Sequence, residues 1–277
     1  MTRFSIITPS YRASDWLKLC VASVADQGVE HEHIIQDACS DDGTQQWLQK
    51  DARVKAFVEK DAGMYDAINR GIRRSSGEII AYLNCDEQYL PGTLALVGKY
   101  FDKHPKADMV FGDVVLVDEK GEYVSHRKMQ TPLLYHTWTC HLSTLSCGMF
   151  FRRRLIEGDG MLFNPEWRAS GDGEWMVRVL RRGTRMGTPG EFTSTFTMTG
   201  KNLGGTKAGT EETRKLLESA PAIARKLRWL IVYHHRLRRW FGGMYSQDPF
   251  SYRIYTSENE KERKVFKVKQ PRFRRRS

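Results

Sequence analysis

The first hundred residues repeat one device: a short apolar run that stops at a polar or acidic residue, followed by a stretch of helical period. The runs FSIIT (4 to 8), HIIQ (33 to 36), KAFVE (55 to 59) and IIAYLN (79 to 84) read as strands. Between them, Asp15 to Ala25 sets Trp16, Leu19, Cys20 and Val24 near a 3.6-residue period, and Met64 to Ile72 does the same with Met64, Ala67, Ile68 and Ile72. Strands alternating with amphipathic crossover helices specify an α/β fold with a mainly parallel sheet flanked by helices. Gly43, Gly63, Gly77 and the Pro91-Gly92 pair punctuate the joins.

In open parallel sheets, ligands bind beyond the carboxyl ends of the strands. Pro9, Ser10 and Tyr11 follow the first run, and Asp37, Asp61 and Asp86 follow the next three. An Asp after a strand is commonly a turn former or a helix cap. Three at one sheet edge repel each other unless a cation or several donors compensate, so a divalent metal is their natural companion. From residue 109 the pattern changes to MVFGDVVLV, a turn at Asp118 to Gly121, and a poorly periodic segment to about 145, suggesting antiparallel strands and a loop over the sheet. GMFFRR (148 to 153) reads as a further strand, and Asp172 to Leu180 as a helix with Trp175, Met176 and Val179 turned inward. His136, His141 and Cys147 lack ligand spacing and read as ordinary polar residues.

The net charge of +11 is unevenly spread. Residues 1 to 213 hold 26 Lys/Arg against 28 Asp/Glu, whereas residues 214 to 277 hold 18 against 5. A nearly neutral body with a basic end suits a catalytic domain carrying an electrostatic anchor, and nucleic acid is not the expected partner. Within Ala222 to Phe241, the residues Ile223, Leu227, Leu230, Leu237 and Phe241 fall at helical spacings, with Arg225, Arg228, Arg236 and Arg239 on other faces. Trp229, Tyr233 and Trp240 add rings of the kind that settle at a bilayer interface. Two outcomes are open for this basic amphipathic helix: attachment to an anionic membrane, or packing of its apolar stripe against the body. The final FKVKQPRFRRRS is expected to stay irregular. Five cysteines without a CxxC pair fit a reducing compartment. MTRFSIITPSYR enters a strand pattern at once, without the regions of a secretory leader, and no run of about 18 apolar residues occurs. The expected location is cytoplasmic, with the inner face of the cell membrane as a peripheral site.

FSIITPSYR, HIIQDACSDDGT, EKDAGMYDAINRGI and GEIIAYLNCDEQYLPG together resemble, in order and spacing, the large family 2 of inverting glycosyltransferases with the GT-A fold. The similarity runs over roughly residues 3 to 185. It implies a Rossmann-like GT-A domain over 1–210, with a nucleotide-sugar half over about 1–105 and an acceptor half over about 106–210. Residues 211–277 would form a basic helical C-terminal extension. The resemblance further implies that Thr8, Pro9 and Tyr11 border the base and ribose, that Asp37 bonds the base, and that Asp61 lies near the ribose, where it could equally cap the helix starting near Met64. Asn84-Cys85-Asp86 stands where the family carries DxD, with Asn84 replacing the first acid, so Asp86 becomes the main ligand for Mg²⁺ or Mn²⁺. Asn84 would orient a ligand or ribose.

Asp172 resembles the second acid of the family's Glu-Asp motif and would be the catalytic base, with Gly171 in the Glu position; it also suits the N-terminus of its helix. Asp113 either orients the sugar donor or ends a strand. The implied activity is transfer from a nucleotide-diphosphate sugar, a UDP-sugar first, to a glycan or lipid-linked acceptor in bacterial surface polysaccharide biosynthesis. A nucleotidyltransferase would open with a Gly-rich loop that TPSYRASD lacks. The alternative is a nucleic-acid- or membrane-binding protein with a silent transferase-like domain.

Overall fold

Residues 2–157, 161–200 and 206–273 are described by the computed structural model. The first half runs β1 (Phe4–Ser10), α1 (Ser14–Ala25), β2 (His31–Asp37), α2 (Thr44–Leu48), β3 (Lys55–Val58), α3 (Met64–Arg74), β4 (Ile79–Tyr82), β5 (Glu87–Tyr89), α4 (Thr93–Lys103), β6 (Met109–Phe111) and β7 (Asp113–Val117). Next come β8 (Tyr123–Arg127), α5 (Leu134–Thr139), β9 (Met149–Arg152), α6 (Gly171–Arg181), β10 (Met186–Gly187) and β11 (Phe192–Thr197). The chain continues through α7 (Lys207–Glu218), α8 (Ala222–Lys226), α9 (Arg228–Phe241), β12 (Phe250–Thr256) and β13 (Asn259–Val268).

Seven strands form the main sheet in the order β10-β6-β9-β4-β1-β2-β3. Only β9 runs against the rest, pairing antiparallel with both β4 and β6. The apolar runs are continuous because the middle strands are covered on both faces: Ile6, Ile7, Ile34, Ile80 and Phe150 have no exposed surface. Burying each such side chain contributes about 1.5–3 kcal/mol. From β1 the chain steps through β2 to β3 on one side, then returns to place β4 on the other. The topological switch therefore lies between β1 and β4, the point past whose carboxyl ends open parallel sheets bind their ligands.

A second sheet, β5-β11-β7-β8, stands beside the first. The chain passes from β6 into β7 at Gly112, where a Cβ would lie 2.2 Å from Thr193 Cγ2, so only glycine fits. The apolar run over 109 to 117 is thus split between two sheets. The segment before 145 contributes β8 and the short helix α5, which its irregular pattern does not announce.

Two readings of the C-terminal part change. The helix over 222 to 241 is in two pieces meeting at Leu227 (φ −90°, ψ 13°), and its apolar stripe does not face the body. The end is not irregular throughout: β12 and β13 pair as a hairpin whose Tyr252, Ile254, Phe266 and Val268 pack with Leu90, Val115 and Val117 of the second-sheet region. Gln88 and the Tyr255 backbone exchange two buried hydrogen bonds of 2.9 Å. Arg263 chelates Asp26 at 2.6 Å and donates to the Tyr89 carbonyl, tying the hairpin to α1 and β5. This burial was hidden because β13 is mostly charged and finds its apolar partners far away in sequence.

Candidate functional site

The parallel register sets Ser10 beside Asp37, and the Leu83 N–H donates to the Ile7 carbonyl, so the loops after β1, β2 and β4 rise side by side. Each loop is built by its own sequence. Asp37, buried at the end of β2, accepts from the Ser40 N–H (2.8 Å) and hydroxyl (2.7 Å), and the same hydroxyl accepts from the Arg12 N–H at 2.8 Å. Arg12 forms a fork onto Asp41 with two 2.6 Å bonds, and Asp42 accepts from Ser14 and Thr44. Arg12 (φ 48°) and Cys39 (φ 61°) both hold left-handed backbone without being glycine. Local strain of this kind persists where the surroundings over-determine the conformation.

Tyr11 projects from the β1 loop with 58% of its surface exposed, and the Arg12 guanidinium lies 5.2 Å from its ring centroid. Pro9 is half-buried, and its carbonyl accepts from the Cys85 thiol at 3.2 Å, which joins the first loop to the Asn84–Glu87 segment. Thr8 does not join them through its side chain. It is fully buried, and its hydroxyl bonds His33 Nε2 at 2.9 Å inside the sheet.

Past β4, Glu87 is fully buried and accepts from the Asn84 N–H at 2.8 Å, closing a tight turn. Asn84 Oδ1 is buried without a partner. Asp86 is partly buried, and among the described residues no side-chain donor pairs with its carboxylate. Burial raises the affinity of both Asp86 and Glu87 for a proton, and for Glu87 repulsion by Asp86 adds to it. The Glu87 carboxylate closes a turn inside the fold, whereas no described side chain pairs with that of Asp86.

Among the described residues, no three His, Cys, Asp or Glu side chains converge as a ligand set. The donor set still suits Mg²⁺ or Mn²⁺ in one mode. These ions keep several waters and bind through one or two carboxylates plus substrate phosphates, and Asp86 offers one desolvated, unpaired carboxylate beside an orphaned amide oxygen.

Asp172 stands in the first turn of α6. Its carboxylate accepts from the Gly173 N–H at 2.9 Å and, at a longer 3.4 Å, from the Tyr65 hydroxyl, while that hydroxyl accepts from the Asp172 N–H at 3.1 Å. Burial raises the Asp172 carboxyl above the usual range. At Gly171 a Cβ would meet the Tyr65 ring at 2.6 Å, so a Glu at that position would displace the phenol. Tyr65 was missed because, in the sequence, it is one more apolar residue of α3. Glu212 of α7 was missed too: its carboxylate collects the N–H groups of Arg168, Ala169 and Ser170 at 2.5, 2.9 and 2.7 Å, just ahead of α6. Nothing in the local sequence links positions so far apart.

Several of these groups influence one another electrostatically. Burial pushes the Cys85 thiol up to about 12, and Asp86 and Asp37 add to that. Asp61, which accepts from the Gly63 N–H at 2.8 Å, is raised by burial and further by Asp66 and Asp37. It shapes the turn ahead of α3 rather than bonding as the side chain of the helix N-cap, which is Gly63. The buried Tyr82 phenol, raised first by burial, also feels both Asp172 and Glu87. Asp37 ends β2 and Asp86 follows β4, on either side of β1, Asp61 precedes α3, and Asp172 reaches the group through Tyr65 of α3.

Asp113 lies elsewhere, at the start of β7. It accepts from the Met129 N–H at 2.6 Å, and burial pushes it up to about 6 with Lys128 and Arg239 nearby. His136 and His141 join His235 in a ring cluster under α9, with His136 and His235 stacked at 3.7 Å.

Comparison with known proteins gives three further findings. The family model described as Glycosyl transferase family 2 matches residues 5–159. A PGL/p-HBAD biosynthesis glycosyltransferase of Mycobacterium bovis (strain BCG / Pasteur 1173P2) is 29% identical over 184 residues, covering 64% of this chain and 69% of that relative. A Bacillus subtilis (strain 168) glycosyltransferase named for teichuronic acid biosynthesis, TuaG, is 40% identical over 91 residues, covering 31% and 36%.

Among solved structures, S. aureus TarS 1-349 in complex with UDP-GlcNAc superposes with a TM-score of 0.64 at 18% identity, covering 78% of this chain. The chain spans 64% of that structure's length. The mannosyltransferase PcManGT from Pyrobaculum calidifontis, in complex with GDP-Man and Mn²⁺, gives a TM-score of 0.53 at 18% identity, covering 73% and 58%. These likenesses identify the fold as GT-A.

Proposed function

Since the chain belongs to glycosyltransferase family 2, and is on that ground a glycosyltransferase, we propose that it moves a sugar from a nucleotide-diphosphate donor, a UDP-sugar first, to a hydroxyl of a glycan or lipid-linked acceptor, with inversion, in polysaccharide biosynthesis. One observation supports the reading: Asp86, whose carboxylate no described side chain pairs with, follows β4 at the switch between β1 and β4, and the buried Tyr82 of β4 feels the charge of Asp172, which Tyr65 holds.

Tyr11 and Pro9 border the base, and Asp37 and Asp61 shape the pocket for base and ribose, their carboxylates already engaged in turns. Thr8 supports this wall from inside. Asn84, whose side-chain oxygen lacks a protein partner, orients the donor ribose or a ligand. Mg²⁺ or Mn²⁺ on Asp86 would neutralise the charge that develops on the departing diphosphate. Asp172 takes the proton of the acceptor hydroxyl as its oxygen bonds to the anomeric carbon and the diphosphate leaves with the electrons of the broken bond. A raised carboxyl pKa suits this role, because a stronger base holds the proton better. Asp113 is assigned to shaping the acceptor side through Met129.

Calorimetry with UDP, GDP, dTDP and CDP, with and without Mn²⁺, tests the donor half. Metal-dependent binding of one nucleotide, lost in Asp86→Ala, is the expected result. Absence of binding to all four in either condition would sink the reading.

A further inference from the structure

We propose that the outward face of α8 and α9 docks this protein on an anionic lipid bilayer, with Trp229, Tyr233 and Trp240 seated among the headgroups. The docking stands independently of the transferase reading; only its use in presenting a lipid-linked acceptor rests on that reading.

The helix is mounted with its polarity reversed. The face of α9 that packs on the body carries His235 and Arg239, exposed by only 7% and 6%, together with half-buried Arg238. Polar bonds fix it there. Arg238 donates to the Thr131 carbonyl and hydroxyl at 2.7 Å each, Gln130 donates to the Arg238 carbonyl at 3.1 Å, and His235 stacks on His136. Meanwhile Trp229, Tyr233 and Trp240, at spacings of four and seven, are 67%, 59% and 65% exposed, and Ile223, Leu230 and Phe241 beside them are also exposed. Burying a guanidinium costs free energy unless its bonds are well satisfied, and leaving an apolar stripe in water adds a further cost. A contiguous exposed apolar patch marks an interaction surface.

Charge identifies the partner. No Asp or Glu lies between Glu218 and Asp248, a stretch that holds Arg225, Lys226, Arg228, Arg236, Arg238 and Arg239. The first four are exposed and flank the aromatic stripe. Trp and Tyr rings with a basic border match the boundary between acyl chains and anionic headgroups. No helix among the described residues is long and apolar enough to cross a membrane, so α9 would lie in the interface plane. An open apolar groove of about 560 Å³, lined in part by Leu133, Tyr135, Ile223, Leu227 and Leu230, lies between α5 and these helices. α5 packs on both α9 and α6, so this short helix connects the docking helix to the one that carries Asp172.

The test uses the full chain with vesicles of phosphatidylcholine alone and of phosphatidylcholine mixed with phosphatidylglycerol, read by co-sedimentation and by tryptophan fluorescence. The expected result is binding that requires phosphatidylglycerol and weakens by about fivefold for each of Arg225→Gln, Lys226→Gln and Arg228→Gln. The exposed triple variant Trp229→Ser, Tyr233→Ser, Trp240→Ser should bind at least about tenfold more weakly. Overturning results are no vesicle binding by the unmodified chain, binding indifferent to phosphatidylglycerol, or an aromatic variant that binds equally well. A concentration-dependent dimer abolished by the aromatic variant, with no vesicle binding, would assign the face to a second copy and also overturn the proposal. Nucleotide binding by the same variants, expected to be unchanged, reports on folding and keeps this outcome separate from that of the donor site.

Discussion

At the scale of single residues, Asp172 depends on a phenol and on a missing side chain. Tyr65 bonds both the backbone and the carboxylate of Asp172, and it can stand there only because Gly171 has no Cβ. Asp172→Asn keeps an acceptor for the Gly173 N–H and removes the base. It is expected to lower kcat by about 10²- to 10⁴-fold, with nucleotide affinity and melting temperature nearly unchanged; steady-state kinetics beside calorimetry checks this, and retained turnover would move the base elsewhere. The position of Asp172 was legible from the sequence, but its anchoring was not. Tyr65 is 107 residues away, and hydrogen bonds between distant elements leave no periodicity to read. Asp37 shows the same limit. Its place after a strand is plain in HIIQD, yet only the folded turn reveals that Ser40 occupies both its oxygens. Glu87, adjacent to Asp86 in sequence, has the opposite fate because β5 begins with it and carries it inward.

Whole elements show where the sequence speaks clearly. β1, β2 and β4 are buried along most of their length because both faces are covered, and the apolar residues at Ile6-Ile7, Ile34-Ile35 and Ile79–Tyr82 reveal them, while α3 is recognisable from the periodic burial of Ala67, Ile68 and Ile72. β12 and β13 are obscure for the converse reason: only one face is buried, and in Asn259–Val268 only Phe266 and Val268 reach the core. α7 is largely exposed, yet it acts on its neighbour through Glu212, which gathers three N–H groups ahead of α6. Glu212→Ala leaves those donors to water or to nothing, at about 1–3 kcal/mol for each one that remains buried. Because this loop leads into Asp172, kcat should fall while nucleotide affinity holds, with partial rescue by Glu212→Gln. A loss confined to melting temperature would reduce Glu212 to a purely structural role.

For the molecule as a whole, acidity should loosen the mounting of α9. Burial holds His136 at about 3 and His235 at about 4, and lowers His141 as well. Arg239 adds to the lowering of all three, with His234 and Arg238 acting on His235 and Arg228 on His141. The ordinary His value is about 6.5, so the undocked chain binds more protons than the docked one between these limits. The docking free energy is therefore fully present above about pH 6.5 and lost progressively as pH falls towards 4. Asp113, pushed up to about 6, works in the opposite sense, but it is one group against three. Hydrogen exchange over residues 228–241, corrected for intrinsic rates, should show more frequent opening at pH 5 than at pH 7.5, and a double variant His136→Leu, His235→Leu should lose most of that difference. Equal opening at both pH values would show that the histidine stack does not govern docking.

The Gln88–Tyr255 pair has a further consequence, in time rather than in space. Its two partners lie 167 residues apart, so a ribosome adding roughly 5–20 residues per second makes the second about 10–30 s after the first. During that interval Leu90, Val115 and Val117 lack the hairpin that covers them, and the nascent chain presents an unfinished apolar surface until residues 250–268 have been made.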